Sequence, residues 1–231
     1  MTAQDAEQER RDPPRWLLIG VGVLAAAALA FGIGRFTAFG NSAAPAAPST
    51  TSADAGFARD MQVHHAQAVD MAMTIYRSTD DPALRALSYD IATGQSAQAG
   101  RLYALLVEWG LSQSGGPLMS WMSADGDHRG HGGGSDAEPA TEAELRAEMG
   151  MATDAELSAL QAAAEPRGSA EADCLFLSLM IRHHEGAIDM VDAVLELGTS
   201  SVTGLAASMK QTQSSEVAAM EDLQSRLACT D

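Results

Sequence analysis

Imidazole and thioether are the metal-binding donors that gather in this chain, and they gather twice. The segment from Phe176 to Met190 carries His183 and His184 between Met180 and Met190, and the segment from Phe57 to Met71 carries His64 and His65 between Met61 and Met71. At one constant offset, Asp54, Phe57, Met61, His64, His65, Ala68, Asp70 and Met71 match Asp173, Phe176, Met180, His183, His184, Ala187, Asp189 and Met190. On a helix at about 100° per residue, Phe57, Met61, His64, His65, Ala68 and Met71 fall within roughly a third of the circumference, while Asp70 faces the opposite side. Neutral imidazole suits Cu, Zn, Ni or Fe, and thioether sulfur selects chiefly Cu(I). The pattern therefore predicts a copper ion, Cu(I) favoured, or another transition metal, with Met61, His64, His65, Met71, Met180, His183, His184 and Met190 as candidate ligands. A lone methionine would be read as core packing; repetition of Met-x-x-His-His in both halves is what points to ligation. Adjacent helical residues diverge by about 100°, so the second His of each pair either ligates too or hydrogen-bonds around the one that does.

These donors need helices to position them, and the composition supplies helices. Aromatics are 5% and Ala, Leu and Met abound without long β-branched runs, which predicts an all-α fold. Asp54 is expected to cap a first helix running to Ser78, and Asp80-Asp81-Pro82 supplies a turn into a second that ends near Trp109. That second helix carries an apolar stripe of Leu84, Leu87, Ile91, Leu102, Leu105 and Trp109, interrupted by Gln95 and Gln98. Asp173 is expected to cap a third helix to Leu197, with Gly198 ending it. A fourth runs from Ser201 to Leu227 on a Val202, Leu205, Met209, Met220, Leu223, Leu227 stripe, with Gln213 and Glu216 in the places of Gln95 and Gln98. The repeat unit is thus a helical hairpin. Both histidine pairs and all four of these polar residues lie near mid-helix, so they should meet in one layer of the bundle, Gln95, Gln98, Gln213 and Glu216 orienting the imidazoles. Between the hairpins runs a crossover broken by Gly115-Gly116-Pro117 and by glycines within residues 125–134. Capping-box spacings at Thr141/Glu144 and Thr153/Glu156 predict two short helices in it. Met119, Met122, His128 and His131 in this crossover form a candidate accessory or entry site, with an incidentally polar loop as the alternative.

The repeat resembles a bacterial envelope family long known only as a domain of unknown function, number 305 in that series, whose repeats read Met, two residues, His-His, then Met seven residues after the first His. The resemblance covers roughly Asp54 to Leu227 and includes Gly150 to Leu157 ahead of the second copy. It implies a ferritin-like four-helix bundle and, because some members are linked to copper binding and tolerance, a copper-related role.

The remaining features place the domain in the cell. Trp16 to Gly34 contains no charged residue, and 19 residues at about 1.5 Å each would nearly cross a roughly 30 Å hydrocarbon core. This reads as a single-pass anchor, with a cleaved signal peptide as the competing reading. Arg10, Arg11 and Arg15 precede the span against Arg35 after it, so residues 1–15 are expected in the cytoplasm and the main domain outside. Residues 35–53, rich in Ala, Pro, Ser and Thr, read as a tether to the domain at 54–231. The only cysteines, Cys174 and Cys229, fall at one end of the second hairpin and are expected to form a disulfide, which an external location permits. A formal charge of −17 and a pI near 4.5, with no basic patch, argue against nucleic acid as a partner. No nucleophile triad, phosphate loop or dinucleotide fingerprint is present. These features fit an anchored envelope protein that sequesters copper or hands it to another envelope copper protein. A ferritin-like oxidoreductase and a metal-free structural or partner-binding bundle are the competing readings, and no residue is assigned a catalytic role.

Overall fold

The computed structural model of the protein describes residues 46–123 and 140–229. The expected anchor at 16–34, most of the tether, and His128 and His131 lie outside them. Among the described residues every regular element is helical: α1 (Ala53–Ser78), α2 (Pro82–Glu108), a 3₁₀ turn (Ser120–Ser123), α3 (Glu142–Glu148), α4 (Asp154–Ala163), α5 (Ala170–Leu197) and α6 (Ser200–Arg226). None of the described helices is long and apolar enough to cross a membrane. The four long helices form two hairpins, α1 with α2 and α5 with α6, and the hairpins meet chiefly where α1 packs on α5.

Sequence alone places most helix boundaries to within a residue, because the stop signals are local: Asp81 caps α2 with Pro82 following, and Thr141 and Thr153 close reciprocal capping boxes with Glu144 and Glu156. Two of the expected caps are different residues. Ser52 caps α1 and Ser169 caps α5, each accepting from a backbone N–H of the first turn. Asp54 and Asp173 sit inside those first turns and reach across the bundle instead. Asp54 accepts from the backbone N–H and hydroxyl of Thr199 at the start of α6, at 3.0 and 3.2 Å. Asp173 accepts from the hydroxyl of Thr79 between α1 and α2, at 2.9 Å. A carboxylate two or four positions past a serine cap finds the cap's work already done and is left to pair with another segment. The stripe of α2 also needs one correction. Leu106 is the fully buried residue of its last turns, whereas the expected Leu105 and Trp109 are only half-buried.

Apolar side chains gather in two clusters, one toward each end of the bundle. The first holds Ala68, Met71, Ile75, Leu84, Ile91, Phe176, Met180 and Met220, and the second Phe57, Met61, Leu102, Leu106, Trp121, Met190, Val202 and Met209. Two further ties close the first end. Arg226 makes a forked pair with Asp81, at 2.8 and 3.0 Å, joining the end of α6 to the cap of α2. Cys174 and Cys229 form the expected disulfide, Cα atoms 5.4 Å apart across a sequence separation of 55. On chain-entropy grounds a loop of that length contributes about 4 kcal/mol by restricting the unfolded chain.

Candidate metal centre

His64, His65, His183 and His184 are fully buried, at 0% exposure. The two members of each pair diverge as the helical angle requires, their ring centroids 6.3 Å apart. One member points inward: the His64 and His183 rings face each other across the α1–α5 contact at 3.7 Å. The other points toward its own hairpin partner. His65 Nε2 donates to Gln98 Oε1 on α2 at 2.8 Å, and His184 Nε2 donates to Glu216 Oε2 on α6 at 2.8 Å. Gln95 brings its amide nitrogen to 3.5 Å from His184 Nε2, and Gln213 is buried without a partner.

The acceptors decide where the protons sit. A carbonyl or carboxylate oxygen cannot donate, so His65 and His184 carry their proton on Nε2. His64 is in the same state, because its Nε2 donates to the backbone carbonyl of Met149 at 2.9 Å. Each of these three rings therefore presents a bare Nδ1 lone pair, and none of those atoms has a partner. Among the described residues, nine buried side-chain polar atoms lack a hydrogen bond, and eight belong to this layer: the four histidine Nδ1 atoms, His183 Nε2, Gln95 Oε1 and both amide atoms of Gln213. A buried polar atom left unpaired costs on the order of 1–3 kcal/mol, so this concentration is expensive as a hydrogen-bonded core and fitting as a set of ligands. Burial also keeps His64, His65 and His183 uncharged. It pulls His64 down to about 4 and His65 to about 3, and it holds His183 well below its ordinary value, the neighbouring imidazoles adding to the fall. Neutral imidazole is the form that binds metal.

The four repeated methionines are buried to within 1% and divide evenly. Met61 and Met190 join one core cluster, Met71 and Met180 the other, so the histidine layer has thioether on both sides. Met61 and Met180 precede their histidines by one turn, about 5 Å along the axis, whereas Met71 and Met190 follow by two turns, about 10 Å. As the side chains stand, no three His, Cys, Asp or Glu residues among those described are grouped to hold one ion. Met119 and Met122 pack half-buried against the Phe57–Met61–Trp121 cluster, where Asp60 fastens their segment by accepting from the Met119 backbone and from the Trp121 indole.

One contributor to this layer went unseen in the sequence, because it is a backbone atom of the crossover. Its signal was a difference between the repeats: where the first copy has Gln67, the second has Gly186. A Cβ at Gly186 would lie 2.0 Å from the Met149 carbonyl oxygen.

Fold and layer together define a helical bundle of two repeated hairpins with buried histidines where the hairpins meet. The chain belongs to the family described as Domain of unknown function (DUF305), whose profile matches residues 54–224. Among solved structures, a putative secreted DUF305 protein from Streptomyces coelicolor is 35% identical, with a TM-score of 0.64 over 78% of this chain and 95% of that one. A DUF305 fragment from Deinococcus radiodurans is 30% identical, with a TM-score of 0.60 over 79% and 99%. CopM in its Cu(I)-bound form shares the fold at 21% identity, with a TM-score of 0.52 over 75% and 96%. No curated protein matches the chain.

Proposed function

We propose that the protein is a membrane-anchored, extracytoplasmic copper-binding protein that sequesters Cu(I) or hands it on within the cell envelope, its domain a ferritin-like bundle. The observation that carries this reading is the set of four buried, unpaired Nδ1 atoms, three of them on rings whose Nε2–H is already committed to an oxygen acceptor. Hydrogen-bonding one ring nitrogen to an oxygen fixes the tautomer and raises the basicity of the other, which is how metal-ligating histidines are held. His64, His65, His183 and His184 are the nitrogen donors. Because those donors are not grouped for one ion by themselves, thioether completes the set, and Met61 and Met180, one turn away, are better placed than Met71 and Met190. Gln95, Gln98, Gln213 and Glu216 orient the rings. Bound there, Cu(I) supplies soft Lewis acidity to a donor set that prefers it over harder ions. Glu216 is the one carboxylate hydrogen-bonded to the histidines among the described residues and is engaged by His184, whereas di-iron bundles use several carboxylates; this favours holding a metal over oxidation chemistry. CopM, solved with Cu(I), is a relative in keeping with the proposal.

The purified chain, equilibrated with Cu(I) in ascorbate and then desalted, is expected to retain copper in a fixed ratio. A folded chain retaining none at micromolar free Cu(I) would sink the assignment. The same reading puts the bundle outside the cell, so protease added to intact spheroplasts should digest it; protection until lysis would reverse the orientation.

A further inference from the structure

We propose that Gly186 and Gln67 are positioning residues that seat the crossover on the histidine layer and thereby fix the tautomer of His64, leaving the inner histidines of the two repeats as unequal donors. The metal consequence rests on the function proposed above; the tautomer does not.

The seat is built from both inner helices. On α5, Gly186 leaves a gap one turn after His183, and the Met149 carbonyl and the Gly150 nitrogen fill it: a Cβ there would lie 2.0 Å from the first and 2.7 Å from the second. Gly150 itself stands at φ +71°, with its own missing Cβ 2.3 Å from the Arg182 carbonyl, so the turn fits only as glycine against α5. On α1, the Gln67 amide clamps the next stretch of the loop from both sides, accepting from Ala152 N at 2.7 Å and donating to Ala152 O at 2.9 Å. Held between these two points, the Met149 carbonyl accepts from His64 Nε2 at 2.9 Å. The crossover offers His183 no such carbonyl: neither of its ring nitrogens makes a hydrogen bond of ordinary geometry, and the nearby His64 backbone interacts with the ring only weakly. Gln67 and Gly186 occupy the same place in the two repeats, so one difference between the copies both admits the loop and denies His183 its equivalent. His64 is thus fixed with a bare Nδ1, and no hydrogen bond of ordinary geometry commits His183 to one tautomer.

The test reads the metal-free protein first, by long-range ¹⁵N–¹H correlation of the imidazole rings. His64 is expected with its proton on Nε2 and none on Nδ1, and His183 as a mixture of tautomers. Gly186→Ala should abolish the single His64 tautomer while leaving those of His65 and His184 intact. Gln67→Ala, which removes the clamp without adding volume, should do the same if Gly186→Ala does not fold. Cu(I) affinity should fall by about 10- to 100-fold in the folded variants, the usual effect of losing a partner that orients a ligand. A His64 proton on Nδ1 in the parent, or an unchanged His64 spectrum in both folded variants, overturns the proposal. If His64 loses its fixed tautomer in the variants while Cu(I) affinity stays at the parent value, the metal half of it is wrong. If the spectra behave as expected but the parent binds no Cu(I), positioning stands and the copper function falls.

Discussion

Changing His64 and His65 together to alanine is expected to weaken Cu(I) binding by more than the roughly 100-fold that an orienting partner can account for, because it removes half of the imidazoles in the layer. Changing His183 and His184 as well should add little. The inner rings of the two pairs stand 3.7 Å apart; if both pairs serve one centre, a centre already stripped of one helix's imidazoles has little affinity left to lose. Two independent sites would instead give losses that add. Met61→Leu with Met180→Leu, nearly conserving volume in the two clusters, should keep the fold while lowering Cu(I) affinity more than Zn(II) affinity. The comparison is decisive only with the variants shown to be helical and cooperatively folded. A quadruple His variant that meets that condition and binds Cu(I) like the parent would make the repeat a packing device.

Acidification should destabilise the metal-free protein well before its carboxylates matter. His64 and His65 have folded values near 4 and 3, below the ordinary 6.5, so between those limits the unfolded chain binds protons that the folded chain refuses. Stability contributed by the neutral rings is fully present above pH 6.5 and falls as pH drops through the window toward 4 and 3. At pH 5 the loss is on the order of 2 kcal/mol for each ring. Asp81 and Glu156, held down to about 2 chiefly by Arg226 and Arg182, lose their contributions only as pH falls from their ordinary values near 4 toward 2. Urea midpoints of the metal-free protein should therefore decline between pH 7.5 and pH 5, and saturating Cu(I) should raise them across that interval without flattening the decline, because the protons responsible bind the unfolded chain. An unchanged midpoint across that interval would contradict the burial of neutral imidazole.

The parts of this architecture that are local in the chain were legible in the chain. Capping boxes, Pro82 and Gly198 mark helix ends because a turn's hydrogen bonds close within a few residues, and the 3.6-residue period put His64, His65 and Met61 on one buried face. Similar distances from the hairpin turns bring Gln98 to His65 and Glu216 to His184; counting along the helices predicted the shared layer but not which residues pair in it. What the chain hid were contacts made by backbone or across the bundle. Nothing in the one-dimensional pattern says that a carbonyl at Met149 will lie in a notch left by Gly186, since the bond joins residues far apart in sequence. Asp54 and Asp173 misled for a related reason. Serine, two or four residues earlier, competes equally well for the cap, and only the packed structure shows which carboxylate is free to bridge.

Those two bridges have a reciprocal form. Asp54 of the first hairpin holds Thr199 of the second, and Asp173 of the second holds Thr79 of the first. This is the signature of an isologous interface, the kind that relates identical subunits of a two-fold dimer, here joined into a single polypeptide by the crossover. In a dimer of identical hairpins every substitution appears twice, once in each half of the centre. Fusion lifts that constraint. Gln98 faces Glu216 in the opposite half, and Gln67 faces Gly186, pairs of unlike residues that a true homodimer could never display. The single chain keeps the economy of a symmetric frame while allowing its centre to be lopsided, with one carboxylate on one side and one loop carbonyl on the other.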